Sequence, residues 1–194
     1  MINRKKFFAT VRPLHGGKLT VSQVEGYNFI LDVWEQGYDN NPLSFLAYAL
    51  ATVHKECGGT VQPIRERGGT KYLSKYDTGK LAAALGNTPA ADGDGIKYAG
   101  RGYVQLTGAA NYKKVLAKLG IDAVKNPDLA LNPHIAAQVM FAGMTQGWFT
   151  GKRLADYNLK TGFQKVNARR IINGLDCAVE IAGFYDVYVK ALAK

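Results

Sequence analysis

Apolar side chains recur at helical spacing from Val24 through Tyr27 and Leu31 to Trp34. Just ahead of them, Thr20-Val21-Ser22-Gln23 has the T-x-x-Q form of a capping box. Together they predict a helix over about Val21 to Gln36. Asn41-Pro42 is a second start signal, with Asn as N-cap and Pro at the first helical position. Leu43, Leu46, Leu50 and Val53 supply its buried stripe, and Gly58-Gly59 stops it. A short helix is predicted from Asp77 to Leu85, closed by Gly86, and another from Ala109 to Leu119, closed by Gly120. Between them, Asn87 to Gly102 reads as a glycine-rich loop. Asn132-Pro133 repeats the Asn-Pro start for a helix running to about Gly147. Phe163 to Ile172 and Asp176 to Leu192 read as the last two helices. Strands, if any, are short and lie between Gln62 and Leu73. The pattern predicts a mainly α fold, or α+β if a small hairpin is present. No internal repeat or low-complexity linker breaks the chain, so residues 1–194 read as a single domain without a separate binding module.

Composition supports a packed core: 47% of residues are hydrophobic and 21% charged, which argues against disorder. The longest apolar run, Leu43 to Val53, is about half of the ~20 residues a membrane-spanning helix needs. The basic start at Met1-Ile2-Asn3-Arg4-Lys5-Lys6 is not followed by a clean apolar region, because Arg12, Pro13 and His15 interrupt it. No secretory signal is therefore expected. Cys57 and Cys177 lie far apart; a reducing cytosol would leave both as thiols and an oxidising compartment would let them pair. With no CxxC and three scattered histidines, no metal site is expected. The net charge of +10 draws the chain to a polyanion. Nucleic acid, an anionic membrane face and bacterial wall polymers all qualify. Arg4-Lys5-Lys6 and Arg169-Arg170 are the tight basic clusters, and neither sits in a nucleic-acid-binding motif.

Two carboxylates stand out. Glu56 falls at the end of the second helix, before Gly58-Gly59. The helix C-terminus presents partial negative charge there, which favours a protonated carboxyl, as a general acid requires. The plainer alternative is an exposed helix-end Glu paired with Lys55. Glu66 lies between Arg65 and Arg67, cations that keep a carboxylate ionised. One protonated and one ionised carboxyl suit the acid and base of glycoside hydrolysis. The alternative is a surface salt-bridge network.

The run Tyr98-Ala99-Gly100-Arg101-Gly102-Tyr103-Val104-Gln105-Leu106-Thr107-Gly108 is the most informative stretch. Its glycines allow close approach of the backbone to a ligand. Gln105 offers donor and acceptor and Thr107 a hydroxyl, which suits sugar hydroxyls, an acetamido group or a positioned water. Thr107 could equally be only the N-cap of the helix that follows. No G-K-[ST] follows, so this is not a phosphate loop. Asp92-Gly93-Asp94-Gly95 lacks the remaining ligands of a calcium loop and reads as a turn. Asp176 is a good N-cap, and Asn173 is a sugar ligand or a helix C-cap. Tyr103, Tyr112, Trp148 and Phe149 could stack on sugar faces or simply pack in the core.

Taken in order, these segments resemble the family nineteen glycoside hydrolases, the plant-type chitinases and the related lysozyme-like endolysins of bacteriophages. The matching pieces are the Glu-x-Gly-Gly turn at Glu56, the Gln-Pro-Ile-Arg-Glu string ending at Glu66, the Tyr98 to Thr107 run, Asn111-Tyr112 and Ile171-Ile172-Asn173-Gly174. They span roughly residues 40 to 180. A short chain without a signal looks more like the phage branch. The resemblance implies a lysozyme-like, two-lobed helical fold with a central cleft, a single catalytic domain and an inverting mechanism. Residue by residue, it makes Glu56 the general acid, Glu66 the general base and Thr107 the hydroxyl that helps hold the attacking water. Gln105, Asn111 and Asn173 match sugar-contacting or site-supporting positions, and Arg101 the Arg of the Gly-Arg-Gly turn. Before the acid the family usually has His-Glu; here Lys55 precedes Glu56 and the histidine is His54, so Lys55 is placed to favour ionisation of Glu56 if it approaches the carboxyl. The implied activity is hydrolysis of the peptidoglycan backbone by a monomer, with no cofactor, no nucleic-acid partner and no stable membrane insertion. The enzyme would wait in the host bacterial cytoplasm for release to the wall. A chitinase is the alternative, and a non-catalytic wall- or nucleic-acid-binding protein the rival of a different class.

Overall fold

The computed structural model describes residues 1–122 and 124–193. Along the chain run α1 (Arg4–Val11), α2 (Val21–Gly37), α3 (Leu43–Glu56), β1 (Ile64–Arg65), α4 (Thr70–Leu73), α5 (Gly79–Leu85) and α6 (Asp94–Lys97). Then come β2 (Arg101–Gly102), α7 (Ala109–Ala117), α8 (Pro133–Gln146), β3 (Asn158–Leu159), β4 (Gly162–Phe163) and α9 (Ala178–Leu192), with short 3-10 turns between several of them. The fold is mainly α, and its strands pair antiparallel in two small ribbons, β1 with β2 and β3 with β4. Among the described residues no helix is long and apolar enough to cross a membrane. The chain divides into two compact units: Met1–Gln62 with the chain from Met140 onward, and Pro63–Val139.

The first unit is built on α3, which packs against α9; α1 lies on α9 as well. Every residue of α3 from Phe45 to His54 is buried. The predicted one-sided stripe is thus wrong in degree: the helix is enclosed all round, as an apolar helix without a polar face must be. Leu43, predicted within the stripe, is instead exposed at the helix start. Asn41 does not cap α3. Its amide donates to Tyr38 O at 3.0 Å, and Pro42 stands at the N-cap position. The capping box ahead of α2 is formed in both directions: Gln23 N donates to Thr20 Oγ1 at 3.2 Å and Thr20 N to Gln23 Oε1 at 2.9 Å.

α1 lies in the basic N-terminal segment, where the sequence pattern predicts no helix. Asn3 caps it by accepting from Lys6 N, and Phe7 and Val11, four apart, bury its inner face. The helix predicted over Phe163 to Ile172 is also corrected. Gly162 turns the chain at φ 118°, Phe163 pairs with Asn158, and only Asn167–Ile171 forms a 3-10 turn. The ring of Phe163 packs on Phe45, Tyr48 and Tyr185, so tertiary packing overrides the helical pattern. Asp176 does not cap α9. Cys177 does so in a left-handed conformation, while the Asp176 carbonyl accepts from Arg169 Nε at 3.0 Å. No disulfide joins Cys57 and Cys177.

In the second unit, α5 begins at Gly79 rather than Asp77, because the Asp77 carboxylate accepts from Gly95 N at 2.6 Å. Gly86 closes α5 in the left-handed conformation, as expected. Asn132 caps α8, accepting from His134 N and Ile135 N. Because α3 is enclosed on every side, truncating its centre should be costly. Leu46→Ala is expected to lose ~2–5 kcal/mol of stability, read as a lower denaturation midpoint; a loss below ~1 kcal/mol would mean that α3 is not the core of its unit.

Candidate functional site

Glu66, Gln105, Thr107 and Asn111 all belong to the second unit. β1 carries the chain into Glu66, and β2 starts one residue after Gly100. Beyond the paired strands the two chains remain locked: Glu66 N donates to Gly100 O at 2.7 Å, and Gly100 N returns a bond to Glu66 Oε2 at 3.1 Å. The turn that follows is closed by two backbone bonds between Arg101 and Leu106. Within it Gln105 is held at φ 50°, a strained conformation for a residue with a side chain.

That strain aims Gln105 inward. Its Nε2 donates to Ile64 O at 2.9 Å and to Gly102 O at 3.1 Å, which leaves Oε1 directed at Gly100. A Cβ placed on Gly100 would lie 2.9 Å from Gln105 Oε1, 3.1 Å from Thr107 Oγ1 and 3.2 Å from Glu66 Oε2. Three oxygens from three predicted site residues therefore crowd one point, and only glycine leaves it open. Thr107 is not an N-cap. Its hydroxyl donates to Gln105 O at 2.9 Å, and Gly108 holds the cap position of α7 without a side-chain bond.

The remaining predicted residues of this unit support the turn. Asn111 is half-buried and donates to Thr107 O at 2.8 Å. Arg101 is 2% exposed and bonds to Asp128, Lys97 O, Ala99 O and the Tyr112 hydroxyl. Its guanidinium holds the loop from inside, which makes it a framework residue rather than a sugar contact. Tyr103 and Tyr112 are likewise buried core aromatics; in the first unit Trp148 is buried too and Phe149 packs on Gly143. Asp92 and Asp94 close a turn on Thr88. Among the described residues no group of three or more His, Cys, Asp or Glu side chains could hold a metal.

Glu56 and Asn173 belong to the first unit. Glu56 is the last residue of α3 and its side chain is 17% exposed. Arg169, 5% exposed, meets its Oε1 at 2.6 Å, the distance of an ion pair without the alignment of a hydrogen bond. Lys55 turns away instead: it pairs with Glu180 at 2.6 Å, and that bond raises its pKa. Both sequence expectations for Lys55, a partner of Glu56 or a cation acting on it, are thereby replaced by Arg169. Asn173 is exposed; its backbone N, one residue past the C-cap Ile172, donates to Arg169 O at 3.0 Å and closes the turn, and its side chain accepts from Gly174 N. Sequence reading missed two residues, Arg169 and Tyr76, whose phenol donates to Glu66 Oε1 at 2.9 Å. Arg169 showed only as half of a basic pair, and nothing in the local pattern marked Tyr76.

A one-way chain of hydrogen bonds braces the turn that follows Glu56. Gln23 Oε1 is committed to Thr20 N, so Nε2 gives its hydrogens to Gly59 O and His15 Nδ1, both at 2.9 Å. With a neutral His15, its Nε2 donates to Tyr27 at 2.8 Å, and the order that continues it is Tyr27 to Tyr188 at 2.6 Å and Tyr188 to His54 Nδ1 at 3.2 Å. Both histidines must be neutral for this order to hold. Burial pushes His54 down to about 4, helped by the nearby His15, and lowers His15 as well.

No protein-family model matches the chain. Chitinase C from Streptomyces griseus aligns over 98% of this chain and 76% of its own, at 19% identity and a TM-score of 0.64. The chain shares that chitinase's fold. At such identity the likeness concerns architecture, and the chemistry has to be argued from the side chains.

The histidine chain carries a pH signature. A base held neutral below its unfolded value of 6.5 supports the fold fully above that pH. The support fades as pH falls from 6.5 to about 4, by ~3 kcal/mol in all. Gln at position 54 can accept the Tyr188 bond without titrating. Melting temperature measured from pH 7 to 4 should therefore fall less steeply in His54→Gln than in the wild type; parallel curves would remove His54 as the source.

Proposed function

We propose that the chain is an inverting glycoside hydrolase that cuts the glycan backbone of bacterial peptidoglycan, as an endolysin does in lysing its host. The observation that carries this reading is the convergence of Glu66 Oε2, Gln105 Oε1 and Thr107 Oγ1 about Gly100. The Glu66 carboxylate and the Gln105 amide oxygen can each accept one hydrogen of a water, with the Thr107 oxygen bounding its position, which suits the site to hold that water and take its proton. The fold shared with a chitinase supports the same class of chemistry.

In this mechanism the water oxygen bonds to the anomeric carbon while its proton passes to Glu66. The glycosidic bond breaks, its electron pair leaves with the departing oxygen, and that oxygen takes a proton from Glu56. The Arg169 pair fits the carboxylate that Glu56 becomes, and it has to loosen for Glu56 to begin the step carrying the proton it gives. Solvent restores both groups. The net charge of +10 favours capture on anionic walls. The reading calls for no cofactor, no nucleic acid and no membrane insertion, and for a monomer held in the host cytoplasm until it reaches the wall. The likeness to a chitinase favours a second reading, in which the substrate is a polymer of N-acetylglucosamine.

Permeabilised Gram-negative cells and chitin oligomers, treated in parallel with wild type and Glu56→Gln, separate these readings. The proposal expects cell lysis, slow turnover of chitin oligomers, and a loss of at least ~100-fold in Glu56→Gln, since its amide cannot donate the proton. Faster turnover of chitin would favour the second reading. A Glu56→Gln variant keeping more than about a tenth of the activity would remove Glu56 as the acid.

A further inference from the structure

We infer that Tyr76 is a positioning residue for the Glu66 carboxylate, holding one oxygen so that the other faces the Gln105 and Thr107 oxygens. The inference rests on the proposed role of Glu66 as the water-activating base. Tyr76 Oη donates to Glu66 Oε1 at 2.9 Å, and Gly100 N to Oε2 at 3.1 Å. Donors on both oxygens fix the plane of the carboxylate. Each oxygen accepts two bonds, so Oε2 keeps a free lone pair on the side crowded by Gln105 Oε1 and Thr107 Oγ1. A carboxylate free to spin about its last bond would lose that aim, and with it part of the benefit of orientation.

Tyr76 is itself pinned from two directions. Its carbonyl accepts from Asn87 Nδ2 at 2.9 Å, and Asn87 Oδ1 accepts from Ala109 N, the first residue of α7, at 2.8 Å. Asn87 is buried, so this link between the Tyr76 turn and α7 is protected from water. The Lys75 ammonium sits 4.6 Å over the Tyr76 ring and 3.4 Å over that of Tyr72. A cation over a phenol ring draws electron density from it and makes its O–H a stronger donor. Burial raises the Tyr76 phenol, with Lys75 opposing, so the hydroxyl keeps its proton through the neutral range.

The other charged neighbours do not compete for the carboxylate. Arg65 donates to Ile96 O at 2.8 Å, Arg101 is turned to Asp128, and Arg67 is exposed. The plainer alternative is that the Tyr76–Glu66 bond merely staples the 3-10 turn Ser74–Tyr76 to the strand end. A staple would affect melting but would leave the pH dependence of turnover alone.

The test compares wild type, Tyr76→Phe and Glu66→Gln by melting and by kcat and KM across pH. Positioning predicts that Tyr76→Phe lowers kcat about 10-fold with KM changed less than about twofold. It also predicts that the acidic limb of kcat moves to higher pH, because the carboxylate loses a donor that favours its ionised form. An unmoved limb overturns the inference, whatever happens to melting. If Tyr76→Phe does not fold, Lys75→Met keeps the hydroxyl and removes the cation over its ring. The limb should then move the same way by a smaller amount, and an unmoved limb again overturns the inference. Glu66→Gln separates the two levels: full activity there sinks the proposed base, whereas an inactive Glu66→Gln with an unmoved limb in Tyr76→Phe sinks only the role of Tyr76.

Discussion

The candidate base depends on one reciprocal contact. Glu66 and Gly100 exchange bonds, the backbone of the first reaching the carbonyl of the second and the backbone of the second reaching the carboxylate of the first. β1 and β2 are only two residues long, so this clamp extends a ribbon too short to be stable alone. It sets the carboxylate against the Gln105–Thr107 turn, and any side chain at position 100 would push against these oxygens. The strain at Gln105 follows from the same constraint. Its backbone takes a left-handed conformation so that one end of the amide can anchor on Ile64 and Gly102 while the other faces the opening.

The acid side is organised on a different principle. Glu56 ends a helix enclosed on all sides, and among the described residues its charged partner is a buried arginine from another part of the same unit. The turn after it is braced through Gly59 by Gln23, whose orientation is set by the capping box of α2. A helix start thus fixes the orientation of the Gln23 amide from which the chain between His15 and His54 begins. Two units therefore position their carboxylates by separate means: backbone exchange in one, buried side-chain bonds in the other.

Much of this was legible in the chain because the signals were local. The T-x-x-Q box at Thr20, the Asn132-Pro133 start and the Gly86 stop each act within one helical turn, and each is found where expected. The Tyr98 to Thr107 run marked its own importance through its glycines. What escaped reading was decided at a distance. Phe163 follows aromatic partners on α3 and α9 rather than its own periodicity. Asp77 leaves a helix start to bond Gly95, and Lys55 leaves Glu56 for Glu180. Arg169 reaches Glu56 from a segment far away in sequence, and Tyr76 reaches Glu66 across a stretch with no regular helical or strand spacing, so no local pattern could show either pairing. The N-terminal helix was obscured by its charges, since only Phe7 and Val11 carry its buried face.

The central claim is that Glu66 activates a water held by Thr107 and Gln105, so that water rather than a protein group attacks the anomeric carbon. The anomeric configuration of the first product answers it most directly. A defined amino-sugar oligosaccharide would be cleaved by the purified protein and followed by NMR before mutarotation blurs the signal. The account predicts that the new reducing end first appears with inverted configuration. Retained configuration in the earliest spectra would contradict it, replacing the water-activating base with a covalent or substrate-assisted route.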